Sequence, residues 1–254
     1  MIGPLNGASS LRDPVHPYVF NVRAGFQVEV EKIVEQAAAL GLSRIALFYQ
    51  DDEFGTDALG GLEKATKRRS IKIAATASYQ RNSVKVETAV STIAKADAQA
   101  VVMACTLEAC AEFVRQMKKR GLSPRFNLLS VVEAAALHKE LGDLSHGLEI
   151  TRVVPLPWDV SIPIVNEYRK VMKEMAPDQQ PSLSAMEGFI SAKVVVEGLK
   201  RAGPKADRHK FIEALETMTD FDLGGYKVSY SRQSHRGSDF AGLTMIGKAG
   251  RVRY

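Results

Sequence analysis

The chain has 254 residues, of which 45% are hydrophobic and 25% are charged, and its formal net charge at pH 7 is +5. This length suffices for one large domain or two small ones, and the composition is ordinary for a globular protein. The small excess of Lys and Arg is scattered along the chain, whereas nucleic-acid binding requires a clustered basic surface and a recognition motif. No apolar run reaches the length that a bilayer requires. We therefore expect neither a nucleic-acid partner nor a membrane span.

The first 150 residues alternate between predicted strands and helices. After an opening loop, the pattern predicts a strand or crossover over 18–23 and an amphipathic helix over 26–40 that ends at Gly41. Further predicted strands lie at 44–49, 71–75, 100–103, 126–129 and 147–154, and further helices lie at about 56–69, 84–96, 107–120 and 132–141. This alternation predicts a parallel, doubly wound sheet.

One stretch, residues 44–57, carries the clearest indication of a ligand site. The apolar run 45–49 suits a strand buried on both faces, and the residues after it resemble a helix entry with Thr56 as the N-cap. Ligands of open α/β sheets bind where the carboxyl ends of strands meet helix N-termini. A ligand is therefore expected at 50–56. The alternative is that Asp51, Asp52 and Asp57 only complement the helix dipole.

The pattern changes after residue 154. Pro155, Pro157 and Pro163 surround Trp158 and mark a boundary. Three helices are predicted near 162–175, 183–201 and 208–218, and two short strands near 226–230 and 240–246. The second helix begins with the spacing of a capping box, in which Glu187 would be the acidic member.

The two cysteines, Cys105 and Cys110, have a spacing that fits no common zinc or redox motif. We expect them to be small buried apolar residues; a disulfide between the strand end and the following helix is possible but geometrically unfavoured. The N-terminus has no basic segment followed by a long apolar segment, so it is not a signal peptide.

Motifs of catalysis are missing from the sequence. It contains no G-x-S-x-G, no Walker A loop and no G-x-G-x-x-G. The five histidines share no metal-ligand spacing, and the contiguous acids at 51–53 would diverge in direction. We therefore expect no enzymatic activity, no cofactor and no metal site.

The chain resembles the leucine/isoleucine/valine-binding protein family, which comprises the type I periplasmic solute-binding proteins of branched-chain amino-acid ABC transporters. The order and spacing of several stretches over nearly all of the chain carry the resemblance, rather than any single one. These stretches are IGPLNGA at 2–8, YVFNVRA at 18–24, RIALFYQDDEFG at 44–55, FVRQMKKRG at 113–121, MEGFISA at 186–192 and VVVEGLKRAG at 194–203.

The resemblance implies a type I periplasmic-binding-protein fold, with two doubly wound parallel-sheet lobes that close on a ligand by a hinge. Residues 25–154 would form the complete second lobe, and residues 1–24 and 155–228 a remnant of the first. Residues 229–254 would be the return crossover and the C-terminal strands. The three crossings are expected near 22–24, 151–154 and 229–233. The first lobe would be incomplete, because family members begin with several strand–helix units, and a signal peptide, that this sequence does not contain. The sequence would then be a fragment, a gene with a late start codon, or a truncated gene.

The resemblance also implies ligand contacts. The loop Asn6-Gly7-Ala8-Ser9 matches the first-lobe loop that holds the ligand's carboxylate and amine, although an ordinary turn is the alternative. Phe54 matches a ligand-facing aromatic position or is a core residue. Thr106 matches a ligand-facing position or is only an N-cap. The other expected contacts are Gln50, Asp52, Ser130 and Glu187.

Ser130 is a departure from the family pattern. It matches a position where amino-acid binders carry an acidic residue that pairs with the α-ammonium, and a buried ammonium without such a partner is costly. Either Asp51 or Asp52 compensates, or the ligand is a carboxylate or an aromatic acid without an amine.

The expected function is that of the periplasmic solute-binding component of an ABC transporter, for an amino-acid-like or carboxylate ligand and with a membrane permease as partner. A cytoplasmic ligand-sensing regulator of the same fold is the first alternative, and an enzyme of flavodoxin-like topology is the second. An uncovered sheet edge in the incomplete lobe invites strand pairing, so we also expect a homodimer or poor solubility.

Overall fold

The computed structural model describes residues 1–250 and 252–253, which form two compact units. Unit 1 comprises Met1–Gly25 and Val153–Phe240, and unit 2 comprises Phe26–Arg152 and Ala241–Tyr254. In chain order the elements are α1 Phe26–Ala39, β1 Arg44–Gln50, α2 Glu53–Arg69, β2 Lys72–Tyr79, α3 Glu87–Ala94, β3 Ala100–Ala104, α4 Leu107–Lys119, β4 Arg125–Leu128, α5 Ala134–Leu141, β5 Glu149–Arg152, α6 Pro163–Met175, α7 Leu183–Ala202, α8 Arg208–Glu216, β6 Phe221–Asp222, β7 Lys227–Ser231, β8 Ser234–Gly237, β9 Gly242–Ile246 and β10 Val252–Arg253.

Unit 2 is built around a sheet whose order over the described residues is β10-β9-β5-β4-β3-β1-β2. The pairings from β2 to β5 are parallel, and β9 and β10 join them antiparallel. Strand β3 is buried along its whole length, as its uninterrupted apolar sequence predicts. Phe48 of β1 stacks on Phe113 of α4 with the ring centroids 4.1 Å apart, which ties the sheet to its helical layer. The predicted doubly wound α/β architecture is confirmed.

The strand register brings the carboxyl ends of the central strands to one edge of this sheet. Gln50 at the end of β1 pairs with Tyr79 at the end of β2, and Tyr49 pairs with Ala104 at the end of β3. Met103 pairs in turn with Leu128 at the end of β4. The residues that follow these strand ends therefore line one edge, which we call the carboxyl edge of unit 2.

Unit 1 packs α6, α7 and α8 with an antiparallel sheet of order β6-β7-β8. Its core includes Tyr226 and Tyr230, whose hydroxyls donate to buried carbonyls of the segments 21–22 and 153. The strand predicted over 18–23 is reduced to a single parallel bridge between Ile2 and Phe20.

The third crossing, predicted near 229–233, is wrong. Those residues belong to the hairpin of β7 and β8 inside unit 1, and the chain leaves this unit after Phe240. The hairpin is fixed there because Gly237, with a φ of +78°, lies against the backbone of Asn21, where an added Cβ would come within 2.1 Å of the Asn21 carbonyl oxygen. The sequence contains no local signal of this contact between distant segments.

A disulfide between Cys105 and Cys110, which the sequence pattern leaves possible but does not favour, is present. The two residues are joined by a disulfide, with their Cα atoms 5.6 Å apart. Cys105 follows the last residue of β3 and Cys110 lies in the first turn of α4, so the sharp strand-to-helix turn brings the two side chains together. Both residues are completely buried, as expected.

Two helix starts differ from their sequence predictions. The N-cap of α2 is Asp52 rather than Thr56, and its carboxylate accepts a hydrogen bond from the backbone N–H of Gly55. The N-cap of α7 is Ser182, whose hydroxyl accepts from the N–H of Ala185, so Glu187 is not the acidic member of a capping box. Each start offers two good N-cap residues, and the earlier one is the N-cap in both cases.

Over the ranges 1–250 and 252–253, no helix combines the length and apolar character that a membrane span requires.

Candidate functional site

Tyr79 is the central polar residue at the carboxyl edge of unit 2. Its hydroxyl accepts a hydrogen bond from the backbone N–H of Thr106 at 3.0 Å and donates to the side-chain oxygen of Gln50 at 3.0 Å. The side chain is almost completely buried, and its ring stacks on that of Phe48. Burial raises the pKa of the Tyr79 phenol, so the hydroxyl is neutral at physiological pH and remains a donor.

Gln50 and Asp52 extend this network away from Tyr79. The amide nitrogen of Gln50 donates to the Asp52 carboxylate at 2.6 Å, and the guanidinium of Arg81 lies 3.7 Å from the same carboxylate. Asp52 also accepts from the N–H of Gly55 as the cap of α2. Its charge is therefore already shared among an amide, a helix N-terminus and a cation, which makes it a poor partner for a ligand ammonium.

Phe54 lies in the first turn of α2 and is half-buried. Its ring is 4.7 Å from that of Phe26, which is fully buried in α1. Phe54 therefore packs against the core of unit 2, while part of its ring stays accessible. This position is compatible both with a core residue and with a ligand-facing aromatic residue. Its contact with ligand stays a prediction.

Thr106 is the N-cap of α4, but its side chain makes no capping hydrogen bond. The residues just before it, Ala104 and Cys105, are fully buried, whereas Thr106 itself is exposed. Its hydroxyl lies 3.5 Å from the Tyr79 hydroxyl. The turn therefore presents a hydroxyl group beside the N-terminus of a 13-residue helix, a place that suits a negative charge.

Ser130 follows β4 at the same edge and is paired with a carboxylate that the sequence pattern does not indicate. Its backbone N–H donates to Glu29 of α1 at 2.9 Å, and the hydroxyl of Thr151 donates to the same carboxylate oxygen. Glu29 is completely buried, so its charge serves these protein donors. An acidic group is thus present behind Ser130, but it accepts hydrogen bonds from Ser130 and Thr151.

In unit 1 the loop Asn6-Gly7-Ala8-Ser9 is held by a buried arginine. The Asn6 side chain accepts from the N–H of Ala8 at 2.8 Å, which is the Asx turn that the alternative interpretation predicts. The Arg12 guanidinium donates to the carbonyls of Asn6, Ala8 and Arg23. Ser9 begins a short 3-10 helix. The loop is rigidly held, and its contact with ligand stays a prediction.

Glu187 of α7 is also in unit 1, where its carboxylate lies 3.7 Å from the guanidinium of Arg23. Both side chains are buried, with 7% and 1% of their surfaces exposed. A buried charge needs such a partner, so the pairing with Arg23 stabilises Glu187 in place; its contact with ligand stays a prediction.

The structure therefore brings Gln50, Asp52, Thr106 and Ser130 to one edge of unit 2, as the strand-end argument predicts. It places Asn6, Gly7, Ala8, Ser9 and Glu187 in unit 1. Sequence reasoning missed Tyr79, Arg81, Glu29, Arg12 and Arg23. Tyr79 was missed because the predicted strand ends at residue 75, whereas β2 continues to Tyr79; the other four act through contacts between distant segments.

Metal-ligating groups are not assembled in the part of the chain that the structure describes. No set of three or more His, Cys, Asp or Glu side chains there is placed to hold an ion.

Comparisons with known proteins agree with this architecture. The sequence model of a family described as periplasmic binding protein matches residues 2–251. A substrate-binding periplasmic protein from Ralstonia solanacearum is 35% identical, with a TM-score of 0.87, and the match covers 99% of this chain and 71% of that one. An extracellular ligand-binding receptor from Verminephrobacter eiseniae is 31% identical, with a TM-score of 0.89, over 100% of this chain and 72% of that one. A possible leucine/isoleucine/valine-binding protein from Rhodopirellula baltica is 30% identical, with a TM-score of 0.89, over 99% and 69%.

Proposed function

Because the chain belongs to the periplasmic binding protein family, we propose that it is the extracytoplasmic solute-binding component of an ABC transporter and that its ligand is a small organic carboxylate without an α-ammonium group. The relatives are binding proteins, which supports a role in binding rather than catalysis. The ligand class follows from the carboxyl edge of unit 2.

The observation that carries this choice of ligand is the engagement of two acidic groups at that edge, Glu29 and Asp52. Glu29, the carboxylate behind Ser130, is buried and accepts from Ser130 and Thr151. Asp52 is bonded to Gln50 and paired with Arg81. An ammonium group would have to displace one of these partners, and a charge buried without a counter-charge costs several kcal/mol.

Groups that suit a carboxylate are present at the same edge. Thr106 offers an exposed hydroxyl at the N-terminus of α4, and the Arg81 side chain is 67% exposed. Hydrogen-bond donors together with a helix N-terminus stabilise anions. The carboxylate of the ligand would therefore be held by the Thr106 hydroxyl, the N-terminus of α4 and Arg81.

The disulfide supports the extracytoplasmic assignment over the cytoplasmic regulator. Disulfides persist in oxidising compartments and are rare in the cytosol, where thiols are kept reduced. Cys105 and Cys110 are the only two cysteines of the sequence, and the structure joins them in a disulfide. Fractionation of cells that produce the protein checks this point: recovery from the cytosol with two free thiols would favour the regulator.

A membrane permease and a second copy of the chain are the proposed protein partners. Unit 1 has a mostly apolar hollow of about 600 Å³, lined by Met1, Ile2, Tyr18, Phe20, Val195, Arg208, Phe211, Ile212 and Leu215. The neighbouring pairing of Ile2 with Phe20 is only a single bridge, so strand pairing with another copy is available there. Light scattering should show a dimer, and a monomer at high concentration would contradict it.

A thermal-shift screen of matched acid pairs tests the proposed ligand class. Each pair differs only in the amino group: leucine with 4-methylpentanoate, phenylalanine with 3-phenylpropanoate, and glutamate with glutarate. A ligand present at a hundred times its dissociation constant stabilises the folded state by about 2.7 kcal/mol. We expect at least one carboxylate to raise the melting temperature more than its amino-acid partner does. Stabilisation by the amino acids alone would contradict the ligand class, and no stabilisation by any compound would contradict binding of these acids.

A further inference from the structure

We propose that Tyr79 is a positioning residue of the ligand site and that it acts together with the Cys105–Cys110 disulfide, the two holding the turn at Thr106 in place. This inference rests on the proposed function in one respect, since it assigns Thr106 to the ligand-facing surface. The geometry of the turn can be tested without any ligand.

The Tyr79 hydroxyl fixes the turn from one side. It accepts from the N–H of Thr106 at 3.0 Å and donates to Gln50 at 3.0 Å, so one oxygen atom connects the end of β3 to the end of β1. The ring that carries this oxygen is itself fixed, because it is 3% exposed and stacks on Phe48 with the centroids 5.1 Å apart. The hydroxyl cannot move without moving a packed core side chain.

The disulfide fixes the turn from the other side. Cys105 immediately precedes Thr106, and Cys110 lies in the first turn of α4. The backbone N–H of Cys110 also donates to the carbonyl oxygen of Thr106 at 2.9 Å. Thr106 therefore lies inside the short loop that the Cys105–Cys110 disulfide closes, and its backbone N–H is bonded to Tyr79.

Thr106 is nevertheless exposed, between fully buried residues on its N-terminal side and the buried Ala109 and Cys110 on its C-terminal side. A single exposed residue held at both its N–H and its C=O has little conformational entropy left to lose when a ligand binds. Such preorganisation increases affinity by lowering the cost of ordering the site. Tyr79 therefore contributes to binding without touching the ligand.

The substitution Tyr79→Phe isolates the hydroxyl because it keeps the ring and its stack. It leaves the Thr106 N–H and the side-chain oxygen of Gln50 without the Tyr79 hydroxyl as their partner. The matched control is Tyr168→Phe in unit 1, where a buried tyrosine hydroxyl likewise accepts a backbone N–H, that of Ser182, at 3.2 Å. Both variants lose one buried acceptor of a backbone donor, and only one of them lies at the carboxyl edge of unit 2.

The first measurement is hydrogen–deuterium exchange followed by NMR on the ligand-free full chain. Loss of one hydrogen bond, worth about 1 kcal/mol, should speed exchange of the Thr106 amide by roughly fivefold to tenfold in Tyr79→Phe. Tyr168→Phe should leave this amide unchanged. Equal acceleration in both variants, or none in Tyr79→Phe, would overturn the proposal.

The second measurement is the affinity for 4-methylpentanoate, or for 3-phenylpropanoate or glutarate where one of these is the better ligand of the wild-type protein. We expect a dissociation constant about tenfold weaker in Tyr79→Phe and unchanged in Tyr168→Phe, at similar melting temperatures. If the exchange rate rises but the dissociation constant does not change, the positioning role is wrong. If the wild-type protein binds none of the three acids, the proposed ligand class fails, and the exchange measurement still decides whether Tyr79 holds the turn.

A third variant, Cys105→Ala combined with Cys110→Ala, tests the contribution of the disulfide. It should also speed exchange of the Thr106 amide. Because both devices hold the same turn, adding Tyr79→Phe to this variant should give an effect on the exchange rate that differs from the sum of the separate effects. Additive effects would show that the disulfide and Tyr79 act independently, which would contradict their joint role.

Discussion

The carboxylate of Glu29 accepts a hydrogen bond at 2.9 Å from the backbone N–H of Ser130, a residue 101 positions further along the chain. This contact places a buried carboxylate behind the carboxyl edge of unit 2, where it accepts hydrogen bonds from the protein's own donors. It is the reason why the edge is expected to select a ligand without a positive charge.

Replacing Glu29 with Gln tests how much the hydrogen bonds to the Glu29 carboxylate contribute to stability. The amide oxygen can still accept from the Ser130 N–H and the Thr151 hydroxyl, because both donate to one carboxylate oxygen, so the substitution removes the charge from these two hydrogen bonds and puts an NH2 group in place of the other oxygen. We expect the free energy of unfolding, measured with urea, to fall by about 1–3 kcal/mol. Glu35→Gln, at an exposed position of the same helix, should change it by less than about 0.5 kcal/mol. Equal effects of the two substitutions would show that the Glu29 carboxylate does not hold Ser130.

Gly55 allows a paired test of the turn after β1. A Cβ at this position would lie 1.9 Å from the Gln50 carbonyl oxygen and 2.6 Å from the Tyr49 ring, so Gly55→Ala must displace the turn. We expect the melting temperature to fall and the affinity for ligand to weaken. Gly60→Ala in the same helix meets only one atom, at 3.9 Å, and should stabilise the protein by about 0.5–1 kcal/mol, since alanine favours helix. Stabilisation by both substitutions would contradict the close approach at Gly55.

Glu187→Gln distinguishes a structural role from a ligand-binding role for this residue. It removes the carboxylate opposite the buried Arg23 guanidinium, and breaking such a pair costs about 3–5 kcal/mol of stability. Glu167→Gln, which breaks an exposed pair with Lys193, should cost less than about 1 kcal/mol. Weaker ligand binding with an unchanged free energy of unfolding in Glu187→Gln would contradict the structural role and support the ligand contact.

Alkaline pH should destabilise the protein through its buried tyrosines. Burial raises the pKa of Tyr79, Tyr226 and Tyr230 above the ordinary value of 10.0. Above pH 10 the unfolded chain loses these protons while the folded chain keeps them, so folding stability is intact below pH 10 and falls as the pH rises beyond it. Phenolate absorbance from these residues should therefore appear together with unfolding in a base titration. Complete titration near pH 10 of the folded protein would contradict their burial.

The periodic features of the chain were predictable because they depend on neighbouring residues. The apolar run of β3 and the stripe of α1 each specify burial locally, and the parallel α/β architecture follows from their alternation. The position of Gln50, Asp52 and Thr106 at one edge follows from the same rule, since parallel strands end together.

The remaining features depend on contacts between distant segments or on backbone detail. No local pattern relates Glu29 to Ser130, and none relates Arg23 to Glu187. Asp52 and Thr56 are both good N-caps, and the tight approach of Gly55 to Gln50 decides in favour of the earlier one. The disulfide depends on how sharply the chain turns after β3, which residue types alone do not specify.

The most direct test of the proposed ligand class is isothermal titration calorimetry of the wild-type protein with leucine and with 4-methylpentanoate, which is leucine without its amino group. Where neither binds, the comparison moves to the phenylalanine or glutamate pair. We expect the carboxylate to bind at least tenfold more tightly than the amino acid, because Glu29 and Asp52 at the carboxyl edge of unit 2 are already bonded to protein partners. Tighter binding of the amino acid would contradict the proposed ligand class and would show that an acidic group at this edge pairs with the ligand's ammonium.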